Sequence, residues 1–260
     1  CEEAATSMGL SDTTAELTVG CSGCKPPGCY FQDSSLAEGS LVFNPDLGST
    51  KGCNNADLSK LLKKEKNCRI TAVDKYENIN HIEEIDEYFS FDLDNGLPDL
   101  DYSQYDYILL LDVIEHLKNP ENFMIKLKKK IDKNSKVQVI ISTPNIGFLI
   151  IRLMLLFGSF NYGKRGILDK THTRLFTFSS YKNLLTQCGF NLIDISGIPA
   201  PITMITGNNI VGNILMKLNK SLIFFSKRIF SYQIYSKVKP QISVELLLEQ
   251  ARSQVDDNEK

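Results

Sequence analysis

The stretch Tyr105-Asp106-Tyr107-Ile108-Leu109-Leu110-Leu111-Asp112-Val113-Ile114-Glu115-His116-Leu117, followed by Asn119-Pro120-Glu121, decides how this chain folds. Residues 107–111 are an unbroken apolar run, too short for a buried helix and without the polar alternation of a strand wetted on one side. They read as a strand covered on both faces. The run ends on a carboxylate, Asp112, and an amphipathic helix pattern occupies Glu121–Ile131, with Pro120 where a helix start tolerates a missing N–H.

The same alternation continues outward. Upstream, Ala56–Glu65 is a helix pattern and Arg69–Val73 a β-branched run closed by Asp74; downstream, Val137–Ile141 is another β-branched run. Ser179–Cys188 then reads as a helix closed by Gly189, Leu192–Ile195 as a strand, and Tyr232–Val238 as a last strand ending before Pro240. Strands alternating with helices predict a parallel sheet flanked by helices. Residues 1–40 are rich in Gly, Ser, Thr, Pro and Cys and carry no sustained apolar period, so they read as a poorly ordered segment. The domain is expected over 41–240, with insertions at 146–180 and 200–230 and a tail at 241–260.

With 260 residues and 42% hydrophobic content the chain is long enough to bury one large core. Its net charge of −2 provides no global attraction for nucleic acid or anionic lipid, so a polyanion partner requires a local basic patch. No nucleic-acid partner is expected. Of the seven cysteines, Cys68 and Cys188 sit in apolar segments and read as buried thiols, while Cys21, Cys24 and Cys29 lack a fourth zinc ligand and read as free thiols. Cytoplasmic residence is the expectation. The apolar stretches 146–160 and 202–230 are too short or too interrupted to span a bilayer. Leu215, Leu218, Leu222 and Phe225, beside Lys217, Lys220, Lys227 and Arg228, recur at helical spacing; this fits a helix packed on the domain, a lid, or peripheral membrane contact through 210–230.

In an open parallel sheet, ligands bind beyond the carboxyl ends of the strands. Asp74 ends one apolar run, where a carboxylate accepts hydrogen bonds from a ribose diol, and Asp92 precedes the next strand, where it can accept from an adenine amino group. The segment Asp112 to Pro120, continued by Ile141-Ser142-Thr143-Pro144-Asn145 and by Arg165-Gly166-Ile167-Leu168-Asp169-Lys170-Thr171-His172-Thr173-Arg174-Leu175-Phe176, resembles the class I, S-adenosylmethionine-dependent methyltransferases. Within that family it is similar to methyltransferases associated with glycan and lipid assembly, and the likeness covers roughly residues 50–238.

The resemblance implies an α/β, doubly wound, mostly parallel, seven-stranded Rossmann-like sheet with helices on both faces. It implies S-adenosyl-L-methionine as cofactor, with Asp74 and the adjoining Lys75 at the ribose, Asp92 and Leu93 at the adenine, and Asp112 with Val113 and His116 toward the methionine side. The family also places a glycine-rich loop after its first strand, so that backbone can approach the cofactor. Counting back from Asp74 puts that loop at Gly52-Cys53-Asn54-Asn55-Ala56-Asp57, with a single glycine, and a defective first strand at 47–51. A second register, Asp46-Leu47-Gly48-Ser49-Thr50-Lys51-Gly52, restores the acidic residue and two glycines at the cost of an insertion. Ser40–Phe43 is the segment available to replace the central strand.

Methyl transfer from a sulfonium requires alignment above all, so no catalytic residue is obligatory. His116 and His172 are the candidate bases, His81 lying in a helix pattern away from the site. Asp112, Glu115, His116 and His172 also resemble the metal ligands of small-RNA 3′-end ribose methyltransferases; no metal is assigned, because a Glu-His pair at a helix start commonly caps and hydrogen-bonds. Arg165, Asp169 and Arg174 suit either a lid that clamps an anionic or sugar substrate or a loop held by salt bridges. The expected function is methyl transfer to an oxygen or nitrogen of a small-molecule, glycan or lipid-linked acceptor. The alternative is a methyltransferase-like chain that has lost cofactor binding and is a scaffold or binding protein, or a defective product. A dinucleotide oxidoreductase is disfavoured, since Gly-x-Gly-x-x-Gly occurs nowhere.

Overall fold

A computed structural model of the chain describes residues 40–43, 69–75, 85–131, 136–202, 206 and 210–241, the first group by its backbone alone. The strands are β1 (Ser40–Phe43), β2 (Ile70–Asp74), β3 (Glu87–Ser90), β4 (Tyr107–Leu111), β5 (Gln138–Pro144), β6 (Phe190–Ile198) and β7 (Gln233–Pro240). They form one mixed sheet in the order β3-β2-β1-β4-β5-β7-β6. Neighbours from β3 through β5 run parallel, whereas β7 runs antiparallel to both β5 and β6. Ser40–Phe43 occupies the centre, Phe43 standing level with Val73 on one side and Leu110 on the other. The helix pattern 56–65, the stretch 47–51 and both registers of the glycine loop lie outside the described residues.

Every residue of β2 and β4 is buried, as expected of a strand with no wet face. Successive side chains alternate between faces, so Ile108 and Leu110 enter the core that Val139, Ile141, Ile234 and Val238 share, while Leu109 and Ile140 are buried from the other side. Two helices close the first face: α1 (Pro120–Ile131) through Phe123, Met124, Leu127 and Ile131, and α3 (Phe178–Gln187) through Phe178, Tyr181, Leu184 and Leu185. Thr177 caps α3, accepting from the backbone N–H of Ser180, and Gly189 ends it with φ +81, a conformation other residues enter at a cost.

Three further helices occupy the two insertions: α2 (Leu149–Leu156), α4 (Ile210–Phe225) and α5 (Lys227–Phe230). No helix among the described residues is long and apolar enough to cross a membrane. The last strand runs through Pro240, which pairs with Phe190, because a strand end tolerates a residue without an N–H donor. β6 is longer than the apolar run 192–195 and carries an irregularity between Leu192 and Asp194 that leaves Ile193 exposed.

Candidate active site

Asp74 and Asp112 mark the carboxyl ends of β2 and β4, on either side of β1. Asp74 is buried, and its carbonyl accepts from the N–H of Phe91, which draws the start of the β3–β4 loop beside it. Lys75 is exposed. Asp92 is exposed and caps the short 3-10 turn Leu93–Asn95, one carboxylate oxygen accepting from Asp94 N–H at 3.0 Å. Leu93 belongs to the core, as does Val113. Gly52, Cys53, Asn54, Ala56 and His81 lie outside the described residues.

Asp112 has φ +55, the only left-handed residue besides glycine among the described residues. This costs roughly 1–2 kcal/mol and turns the chain sharply across the strand ends. Its carboxylate is held by Ser142 Oγ at 3.0 Å and by Gln233 Nε2 at 2.9 Å to each oxygen, partners supplied by β5 and β7. The turn leaves Glu115 close to Asp112 at the carboxyl end of β4. Glu115 is buried, and among the described residues neither of its carboxylate oxygens has a hydrogen bond of good geometry, the Thr143 hydroxyl and its own backbone N–H acting on it only weakly.

Two buried carboxyls at one strand end oppose each other's ionisation. Burial raises Asp112 to about 7, with Ser142 and Gln233 working in the opposite direction. Burial first and the Asp112 charge second push Glu115 well above the usual carboxylate range. On Glu115 its own backbone N–H and the Thr143 hydroxyl work the other way, less strongly than burial and the neighbouring charge.

Residues 167–174 pack against the segment that follows β4. The N–H groups of Thr173 and Arg174 donate to the Glu115 carbonyl at 2.8 and 3.1 Å, and Thr173 Oγ1 donates to the Leu117 carbonyl at 2.6 Å. The rings of His116 and His172 meet edge to face with centroids 4.8 Å apart. His116 Nδ1 lies 3.3 Å from the Thr171 carbonyl and His172 Nδ1 lies 3.0 Å from the Ile167 carbonyl. A carbonyl only accepts, so both neutral rings carry their proton on Nδ1 and a lone pair on Nε2. Burial lowers the His172 pKa, favouring that neutral form. Glu115, His116 and His172 bring one ligand atom each to within 4.8 Å of one another. The sequence thus singled out residues that the fold unites, Asp112 standing beside them.

A family model described as a methyltransferase domain matches residues 50–195. This chain belongs to that methyltransferase family. Among solved structures, an S-adenosylmethionine-dependent methyltransferase of Archaeoglobus fulgidus is similar in fold, with 16% identity and a TM-score of 0.50 over 79% of this chain and 86% of that one. A 1,6-didemethyltoxoflavin-N1-methyltransferase of Burkholderia thailandensis, solved with S-adenosylhomocysteine bound, aligns over 79% of this chain and 72% of its own with 13% identity and a TM-score of 0.46. No curated protein matches the sequence.

Within this methyltransferase domain the lid candidates divide. Arg174 Nη2 pairs with both oxygens of Glu121 on α1, at 2.9 and 3.0 Å, and Asp169 accepts from the N–H and hydroxyl of Thr171, so these two hold the loop in place. Arg165 is exposed. Sequence reasoning missed Ser142, Gln233 and Thr173 as partners of the site. It quoted Asn145 without a role; the structure buries that side chain, where Nδ2 donates to the carbonyls of Arg228 and Ser231 and Oδ1 accepts from Gly147 N–H. The available signal was an asparagine directly after the Pro144 that closes a β-branched run.

Proposed function

We propose that this domain transfers a methyl group from S-adenosyl-L-methionine to an oxygen or nitrogen of a small-molecule, glycan or lipid-linked acceptor. The carrying observation is the convergence of Glu115, His116 and His172 beyond the end of β4, beside the hydrogen-bonded carboxylate of Asp112. The cofactor supplies a methyl on a sulfonium, already activated for in-line transfer. Asp74 and Lys75 would hold its ribose, Asp92 and Leu93 its adenine, and Asp112 with Val113 its methionine end. A buried strand-end carboxylate and an exposed one with an uncommitted oxygen suit those polar groups.

His116 and His172 orient the acceptor and take its proton. Backbone carbonyls hold both rings with Nε2 as the basic atom, and burial keeps His172 neutral and competent as a base. A second reading uses the same residues: the buried Glu115 carboxylate with one ring nitrogen from each of His116 and His172 is a donor set for a divalent cation that would bind the acceptor oxygen.

Transfer from tritiated S-adenosyl-L-methionine into acceptors from a cell extract tests the main reading. His172→Ala lowers it by about 100-fold or more, and wild-type transfer is indifferent to a chelator. Transfer that stops with the chelator, together with manganese binding lost in Glu115→Gln, selects the cation instead. A folded chain that binds no cofactor establishes the scaffold alternative.

A further inference from the structure

The helix α4 is built inside out. Of its residues only Gly212 and Asn219 are buried, while Ile210, Val211, Ile214 and Leu218 face water and Phe224 and Phe225 are 89% and 81% exposed. One of its polar residues, Asn219, points inward instead. Asn219 Oδ1 accepts from Ala200 N–H at 2.9 Å and its Nδ2 donates to the Phe230 carbonyl at 3.0 Å, which fixes the helix to the domain by a polar contact and turns the apolar side out. α2 repeats the arrangement: Ile151 is its only buried residue, and Ile150, Leu153, Leu155, Leu156 and Phe157 are exposed. Exposed apolar runs on two helices of one domain are unusual on a soluble surface without a partner.

Both helices leave the end of the sheet that carries the site. α2 follows the carboxyl end of β5, and α5 returns the chain to the start of β7, where Pro144 and Gln233 pair. Asn145 joins the two insertions by donating to the Arg228 and Ser231 carbonyls, and Gly147 is packed so closely that a Cβ there would stand 3.1 Å from the Arg228 carbonyl.

Charge identifies the partner. The chain as a whole is weakly acidic, yet α2, α4 and α5 carry Arg152, Lys217, Lys220, Lys227 and Arg228 and no acidic residue. Lys217 on α4, Arg152 on α2 and Arg228 on α5 are exposed. Two copies facing each other through so positive a surface would repel, whereas anionic headgroups attract lysine and arginine and accept apolar side chains beneath them.

We propose that α2 and α4 lie in the headgroup region of an anionic bilayer and turn the carboxyl end of the sheet toward it. Resting on the methyl-transfer reading, this gives the acceptor's class as a molecule with a lipid tail, whose polar head reaches Glu115, His116 and His172 from the membrane surface.

Vesicle sedimentation with the full chain tests the docking without any cofactor. Wild type is expected to sediment with phosphatidylcholine vesicles containing phosphatidylglycerol, and about tenfold more weakly with phosphatidylcholine alone, in high salt, or as the double variant Phe224→Ser/Phe225→Ser or Lys217→Glu/Arg228→Glu. Thermal melting of each variant shows that it is folded. A folded wild-type chain that ignores both vesicle types overturns the proposal. So does self-association in light scattering that the double serine variant abolishes while vesicle binding is absent; this would make a second copy the partner. S-adenosylhomocysteine binding, measured separately, shows which has failed, the docking or the methyl-transfer reading.

Discussion

Two regions at the same end of the sheet depart from the usual arrangement in opposite directions. At the end of β4, carboxyls and imidazoles are drawn in, and Glu115 is buried without a hydrogen bond of good geometry to its oxygens among the described residues. A few elements away, α4 turns phenylalanines out into water. Each departure costs stability: a buried polar group without a partner costs about 1–3 kcal/mol, and an apolar side chain left in water forgoes its burial. Most of the remaining fold, from the buried strands to the capped α3, obeys the ordinary rules. The departures therefore mark where the molecule meets something else, a reacting group inside and a surface outside.

Breaking the regular part should cost most. Leu110→Ala in the centre of β4 is expected to lower the unfolding free energy by about 3 kcal/mol in urea titration, because the sheet above and below cannot collapse into the gap. His172→Ala should leave that free energy nearly unchanged while slowing methyl transfer about 100-fold, or roughly 2.7 kcal/mol of barrier. The contrast fails if His172→Ala melts the fold as Leu110→Ala does.

The next effect is a pH dependence. The unfolded chain releases the Asp112 and Glu115 protons near pH 4, whereas the folded chain keeps the first to about 7 and the second beyond the usual carboxylate range. Between these limits the unfolded state binds fewer protons, so stability falls as pH rises. Neutral His172 acts the other way below its ordinary range near 6.5, but two carboxyls outweigh one imidazole. Urea titrations across about pH 4.5 to 6.5 should thus show a contribution near 1.4 kcal/mol per pH unit that Asp112→Asn removes. An unchanged slope in that variant would show that Asp112 ionises normally. Smallest of all, Phe224→Ser should move the unfolding free energy by less than about 0.5 kcal/mol, since its ring has little burial to lose.

What the sequence made legible follows from what each signal depends on. β4 lies at 107–111 as read, and α1 begins one residue earlier than its apolar period, at Pro120, because burial on both faces and helical spacing are local properties. The replacement of the central strand by Ser40–Phe43 was also legible, as three apolar residues after a serine with no competing role. β3 was not, because Glu87-Tyr88-Phe89-Ser90 sits at the sheet edge, half-buried to exposed, and carries no buried run. Ser142 and Gln233 were invisible for another reason: they reach Asp112 across 30 and 121 residues, and only the antiparallel return of β7 brings Gln233 there. The outward turn of α4 was half legible. Its stripe was plain in the spacing, but which side Asn219 faced depended on Ala200 and Phe230.

The central claim is a working cofactor site at the carboxyl ends of β2 and β4. Titration calorimetry with S-adenosylhomocysteine, on the wild-type chain and on Asp74→Ala, tests it most directly. Binding in the micromolar range that weakens by about 100-fold or more in Asp74→Ala is the predicted result, as expected when a buried carboxylate loses charged hydrogen bonds to a ligand. Absence of binding by a folded wild-type chain, or binding indifferent to Asp74→Ala, would contradict the account.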